Sequence, residues 1–193
     1  MTIGAEIEVE SFRILAERVD LSGLGPMARA VVARVIHASA DLEFATSMVA
    51  DEAAVAAGVA ALRSGAPVIA DVEMVARGIR GPAGVSCHMG AQETPGMTRS
   101  AVGMREAAAI HPEGAVVVVG CAPTALTEVL RLAAGGTFVP ALVVGLPVGF
   151  VGAAESKAAL RTSGLPAVSN VGEKGGSAVA AAAVNAMWRL AQS

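Results

Sequence analysis

Apolar positions near the start of the chain recur at spacings of three and four. Phe12, Leu15 and Val19 make one such stripe within residues 8–19, which predicts a short amphipathic helix. Pro26 suits the first turn of a second helix, because its fixed φ is already helical. Met27, Ala30, Val31, Val35 and Ala38 continue the stripe from there, and His37 falls in the last turn. A short strand is expected within residues 44–49.

The pattern then changes to apolar runs alternating with helical segments. Asp51 can cap an alanine-rich helix running to Arg63, and the strand PVIAD follows. VEMVARGI reads as a short helix, VSC as a strand, and HMGAQETPGM as a long polar loop before a helix over residues 98–110. AVVVVG, PALVVG and PAVSNV are further strands. They alternate with the helices PTALTEVLRLAA, GAAESKAALRTSG and SAVAAAAVNAMWRLA. Strands this uniformly apolar belong in a parallel sheet covered on both faces. The expected fold is one three-layer α/β/α domain, Rossmann-like, spanning residues 1–193. Ligands of such sheets bind at the carboxyl ends of the strands, so the loops after Cys87, Gly120, Gly145 and Val171 should gather on one edge.

Composition narrows the function. A net charge of −3 and 3% aromatic residues argue against nucleic acid as a partner. With 54% hydrophobic and 16% charged residues the chain is apolar enough to expect buried subunit contacts. The run of 23 uncharged residues between Arg131 and Glu155 is long enough to cross a bilayer, but Pro140, Pro147 and five glycines break it, so no membrane span is expected. The acidic start MTIGAEIEVE does not resemble an export signal. Cys87 and Cys121 fit neither a metal spacing nor a disulfide framework, which favours the cytoplasm.

Several segments invite a chemical reading. GLGPMA at 23–28 matches a loose dinucleotide pattern, but a helix rather than a strand precedes it, so a turn and helix start explain it better. GEKGGS, GCAPTAL and PVGFVGAAESK each open a helix from a turn with free backbone N–H groups, a construction that suits a ligand carrying several carboxylates. His37 is the sharpest catalytic candidate. Arg34 lies three residues before it on the same helical face and can clamp a carboxylate, while Asp41 can orient the ring or cap the next segment. The bland alternative for His37 is a histidine complementing the helix dipole. His88 and Glu93 sit in the polar loop without partners at metal-ligand spacing, and no metal site is expected. His111 ends its helix, Arg99 and Ser100 open theirs beside the long loop, and Cys121 reads as a small packing residue.

Taken together, ESFRIL, RVIHASAD, VIADVEMVARGI, MTRSAVGMREA, GCAPTAL, PALVVGLPVGFVGAAESK and KGGSAVAAAAVNA resemble the precorrin-8X methylmutase family, in the family's order and over nearly the whole chain. The resemblance implies an intramolecular methyl shift from C11 to C12 of a corrin precursor, precorrin-8X or its cobalt form, with no added cofactor. It implies a homodimer with the substrate near the subunit interface. It also puts the catalytic histidine at His37 and substrate contacts at Ser11 and Arg34. By position, Arg99 and Ser100 beside the long loop and Lys174 in the GEKGGS turn are further candidates for binding the substrate. The chain departs from the family's pattern at Cys121, where asparagine is usual, and at Ala167 and Glu173, where an aromatic and a basic residue are expected. A corrin carrier without activity and a nucleotide-binding α/β protein are the competing classes.

Overall fold

The computed structural model describes residues 2–82, 84–89 and 94–193. Among them the order is α1 (Ile3–Arg18), α2 (Pro26–Ser39), α3 (Phe44–Ser47), β1 (Met48–Ala50), α4 (Glu52–Arg63), β2 (Val68–Ala70), α5 (Glu73–Gly78), β3 (Val85–Cys87), α6 (Arg99–Ile110), β4 (Val116–Val119), α7 (Pro123–Ala134), β5 (Leu142–Gly145), α8 (Ala153–Thr162), β6 (Ala167–Asn170) and α9 (Ser177–Gln192). The strands line up as β1-β6-β5-β4-β2-β3. All neighbours are parallel except the edge strand β1, which runs antiparallel to β6.

Side-chain alternation in the central strands builds two cores. Val116, Val118, Leu142 and Val144 point into the larger one, with α2, α4, α5 and α9. Val117, Val119 and Val143 point the other way, against α6, α7 and α8. The three-layer α/β/α architecture is therefore as expected, with α1 laid outside α2 as an added layer.

Local signals fix the element ends. The Asp51 carboxylate accepts from the N–H groups of Ala53 and Ala54, at 2.9 and 3.2 Å, and caps α4. Pro123 opens α7 and Thr98 caps α6. Two readings need correction. Residues 44–47 form a single helical turn, with Phe44 buried beneath it, and the strand begins only at Met48. Helix α1 starts five residues before the helix expected over residues 8–19, since Ile3 and Ile7 are helical yet exposed. Among the described residues, no helix is long and apolar enough to cross a membrane.

The order in which strands are added to the sheet changes sides between β2 and β4, the usual ligand crevice of an open α/β sheet. Here it is filled from within. Asp71, buried at the end of β2, accepts from the N–H groups of Gly120 (3.1 Å), Cys121 (2.8 Å) and Ala122 (2.8 Å). Burial pushes its carboxyl above the ordinary aspartate range, and the three amide donors oppose that shift. The GCAPTAL turn does favour an anion, as its sequence indicates, but the anion is the protein's own side chain.

Candidate active site

Helix α1 presents Ser11 and Phe12 three and four residues after Glu8, hence on the same face as it, and that face meets Arg34 and His37 of α2. The contacts on His37 define its pose. Ser11 Oγ and His37 Nδ1 are 2.7 Å apart, and the Phe12 ring stacks on the imidazole with centroids 5.0 Å apart and planes 14° from parallel. Among the described residues Nε2 has no hydrogen-bond partner, and His37 lines a cavity of about 660 Å³. Arg34 lies over the same phenyl ring, its Cζ 4.8 Å from the centroid. Phe12 thus contacts both of these α2 side chains through its ring.

The opposite wall comes from α9. Ala178, Ala181, Ala182, Asn185, Trp188 and Arg189 recur every three or four residues, so they form a single stripe, and its alanine part makes a floor with little side-chain relief. Asn185 fixes the third side. Its Nδ2 donates to Gly78 O at 2.9 Å and its Oδ1 accepts from Arg80 N at 2.7 Å, which anchors the segment that carries Arg80 to the cavity. Gly81 follows with φ of 108°, and a Cβ there would lie 1.9 Å from Trp188 Nε1, so the indole packs directly on its backbone.

Charge in the cavity is unequal. Arg34, Arg80 and Arg189 line it together with one carboxylate, Glu8. Glu8 accepts from Arg34 at 2.6 Å and from Arg189 at 2.5 and 3.2 Å. Those hydrogen bonds, Arg189 first, hold its carboxyl down at about 2. The Arg80 guanidinium makes no hydrogen bond or ion pair among the described residues.

Of the residues singled out by sequence, Ser11, Arg34 and His37 come together and the rest do not. Asp41 leaves the ring to Ser11 and pairs instead with Lys174, whose Nζ lies 2.6 Å from Asp41 and 2.8 Å from Glu43. Lys174 is therefore neutralised at the surface, outside the cavity lining. Arg99 is exposed at the start of α6, and the Ser100 hydroxyl is buried 3.2 Å from Thr98. That helix packs on the sheet face opposite α2 and α9. Cys121 is exposed rather than packed, and burial of its surroundings raises its thiol's pKa, which leaves it a poor nucleophile. His111 is the C-cap of α6, as expected, and Glu93 lies outside the described residues. Glu173 is exposed and Ala167 begins β6 at the end away from the GEKGGS turn, so neither departure puts charge into the cavity. Among the described residues, no cluster of three metal-ligating side chains occurs.

Sequence spacing alone did not single out Glu8, Phe12, Arg80, Trp188 or Arg189. The available signal was the repeat along α9, where Asn185, Trp188 and Arg189 interrupt an otherwise alanine-lined face.

The GEKGGS turn is organised by Lys157, whose side chain is wholly buried in α8. Its Nζ donates to Asn170 Oδ1 at 3.0 Å and to Lys174 O at 2.6 Å. Burial first, and the nearby Arg161 second, bring this amine down to about 8, with Glu173 opposing. An unfolded lysine keeps its proton to higher pH, so between these two values the unfolded chain binds more protons and stability rises with pH. Urea unfolding of the wild type should therefore gain on the order of 1 kcal/mol, relative to Lys157→Met, between about pH 7 and about pH 10. A difference that stays flat across that range would show that the amine is not destabilised by burial.

Known proteins resemble the chain over nearly its whole length. The family model for precorrin-8X methylmutase matches residues 6–190. The cobalt-precorrin-8 methylmutase of Priestia megaterium is 40% identical over 200 residues, covering 97% of this chain and 88% of the relative. The precorrin-8X methylmutase of Pseudomonas aeruginosa is 42% identical over 200 residues, covering 95% and 94%. A crystal structure of the precorrin-8X methylmutase from Thermus thermophilus superimposes with a TM-score of 0.89 at 35% identity, covering 97% of this chain and 96% of that one. A match of this length in both sequence and fold leaves one reading: the chain belongs to the precorrin-8X methylmutase family.

Proposed function

We propose that the chain moves a methyl group from C11 to C12 of precorrin-8X or its cobalt form, with His37 as the acid or hydrogen-bond donor to the ring. In such a shift the C11–methyl bond breaks and a C12–methyl bond forms within one molecule, while the double bonds of the macrocycle redistribute. No atoms are gained or lost. The protein therefore has two tasks: to hold the ring in a reactive shape, and to lend a proton or hydrogen bond while electron density moves.

The observation that carries this reading is the His37 pose. Ser11 engages Nδ1, Phe12 covers one face, and Nε2 is the nitrogen left for a ligand in the cavity. With the Ser11 hydroxyl donating to Nδ1, the ring proton resides on Nε2, the tautomer a donor to the macrocycle requires. The alanine floor admits a flat ring closely, and three guanidinium groups against one carboxylate suit a substrate rich in carboxylates.

The active species in this reading is a homodimer with the cavity near its interface. Phe150 and Val151, 90% and 88% exposed beside one another in the loop before α8, offer apolar surface for a second copy. The cytoplasm suits the two cysteines, which are unpaired with each other. Purified protein mixed with precorrin-8X should give the corrin product, followed by the absorbance change of the rearranged chromophore. Tight retention of the macrocycle without any conversion would instead make the chain a carrier.

A further inference from the structure

Glu8 is in an unusual position for a residue that merely ties helices together. Two arginines from different helices, one of them 181 residues away in sequence, converge on its carboxylate, and all three groups line the cavity that holds His37. Other carboxylate–arginine groupings lie away from it: Glu10 and Glu17 flank Arg13 along the exposed side of α1, and Glu128 joins Arg105 and Arg131 between α6 and α7. Of these three groups Arg34 is the least exposed, with its side chain 15% accessible, while Arg189 is 61% accessible and can turn toward an incoming group.

We propose that Arg189 joins Arg34, already the expected substrate contact, in a subsite for one carboxylate of the macrocyclic substrate, and that Glu8 is an internal competitor the substrate must displace. The inference rests on the methylmutase reading and adds to it a second cation, Arg189, and the carboxylate that opposes the pair, Glu8. A carboxylate held by two guanidinium groups already shows the geometry such a subsite requires, since each guanidinium presents paired donors in a fixed plane. Glu8 stays ionised at any working pH, because its carboxyl titrates near about 2. Protonation therefore cannot release the arginines; only a competing anion can. Arg80, which lines the same cavity beside Asn185, adds a cation that Glu8 does not neutralise, so the cavity retains positive charge for other carboxylates of the same ligand.

Displacement has a consequence for α1. Glu8 shares its helical face with Ser11 and Phe12, so a ligand that releases Glu8 loosens the helix that also poses His37. Binding and alignment of the imidazole are in this way coupled through one helix.

Steady-state turnover of precorrin-8X by the wild type, Glu8→Gln, Arg189→Gln and Arg189→Lys provides the test. Arg189→Gln should raise KM by about 10–100-fold with kcat within a few-fold of wild type, the range expected on losing a charge-assisted hydrogen bond to a carboxylate. Arg189→Lys should recover part of that loss. Glu8→Gln should lower KM by several-fold, because the competitor is gone, even though the thermal midpoint falls with the lost ion pairs. A purely structural role for Glu8 gives the opposite sign, a raised KM accompanying the lower stability, and would overturn the proposal while wild-type turnover still upholds the methylmutase reading. An unchanged KM in Arg189→Gln overturns it as well. Absence of turnover in the wild type overturns both readings together.

Discussion

His37→Ala is expected to lower kcat for the methyl shift by about 10²–10⁴-fold, the usual range for removing a positioned acid, while the chain stays folded. The second half of that expectation follows from where the imidazole sits. Helix α2 is held by Val31, Val32, Val35 and Ile36, all nearly inaccessible, on the side facing the larger core. His37 projects from the other side and contributes only its hydrogen bond to Ser11 and its stack on Phe12. Losing these costs about 1–2 kcal/mol, too little to unfold a domain of this size. Circular dichroism should thus remain close to wild type and the urea midpoint should fall by no more than about 1 M, while the absorbance assay goes flat. Ser11→Ala should retain more activity, because it removes the group that orients the ring rather than the donor itself. Turnover of His37→Ala within a few-fold of wild type would show that the macrocycle is rearranged by confinement alone.

Much of the fold is legible in the sequence because the signals are local. Pro123 fixes the first turn of α7, Asp51 caps α4, and four consecutive valines with a turn at each end leave β4 little alternative. Where the reading fails, a short or exposed element is involved. Residues 44–47 make one helical turn, too brief to leave a period, and the front of α1 carries apolar residues that face outward and so break its stripe.

The site is legible only in part, for a related reason. His37 and Arg34 share one helix and are visible from spacing. The residues that complete the cavity arrive from α1, from the segment after α5, and from α9, and no local pattern relates Glu8 to Arg189 or Arg80 to Asn185. The anion-binding turns show the limit most directly. GCAPTAL has the backbone of an anion site, yet only the fold reveals that Asp71, some fifty residues earlier, occupies it. Lys174 likewise looks free in sequence and is claimed by Asp41 and Glu43. In both cases the charge was read correctly and its partner was not, because the partner is set by tertiary packing.

The largest effect on stability is expected from one added methyl group, in Gly103→Ala. Gly103 lies in α6 where that helix crosses the backbone just after β3, and a Cβ built there would be 1.3 Å from the carbonyl oxygen of His88 and 2.5 Å from its carbonyl carbon. Nothing flexible stands in the way; both atoms are main chain, so relief requires the helix or the strand end to move by about 2 Å. The helix has little room to do so, since Met104, Ala107 and Ala108 fix it against β4 and α7 in the smaller core. Overpacking of this kind costs about 3 kcal/mol or more. For a chain of this length that is a fall in thermal midpoint of roughly 6–12 °C. Gly4→Ala provides the matched control, because its position in α1 is exposed with nothing within 4 Å of the added carbon. There the same methyl group removes only backbone freedom from the unfolded chain and should raise stability by a few tenths to about 1 kcal/mol. The two substitutions are chemically identical and should move the melting curve in opposite directions. A Gly103→Ala midpoint within about 2 °C of wild type, near the shift expected for 1 kcal/mol, would mean that α6 does not rest on the His88 backbone.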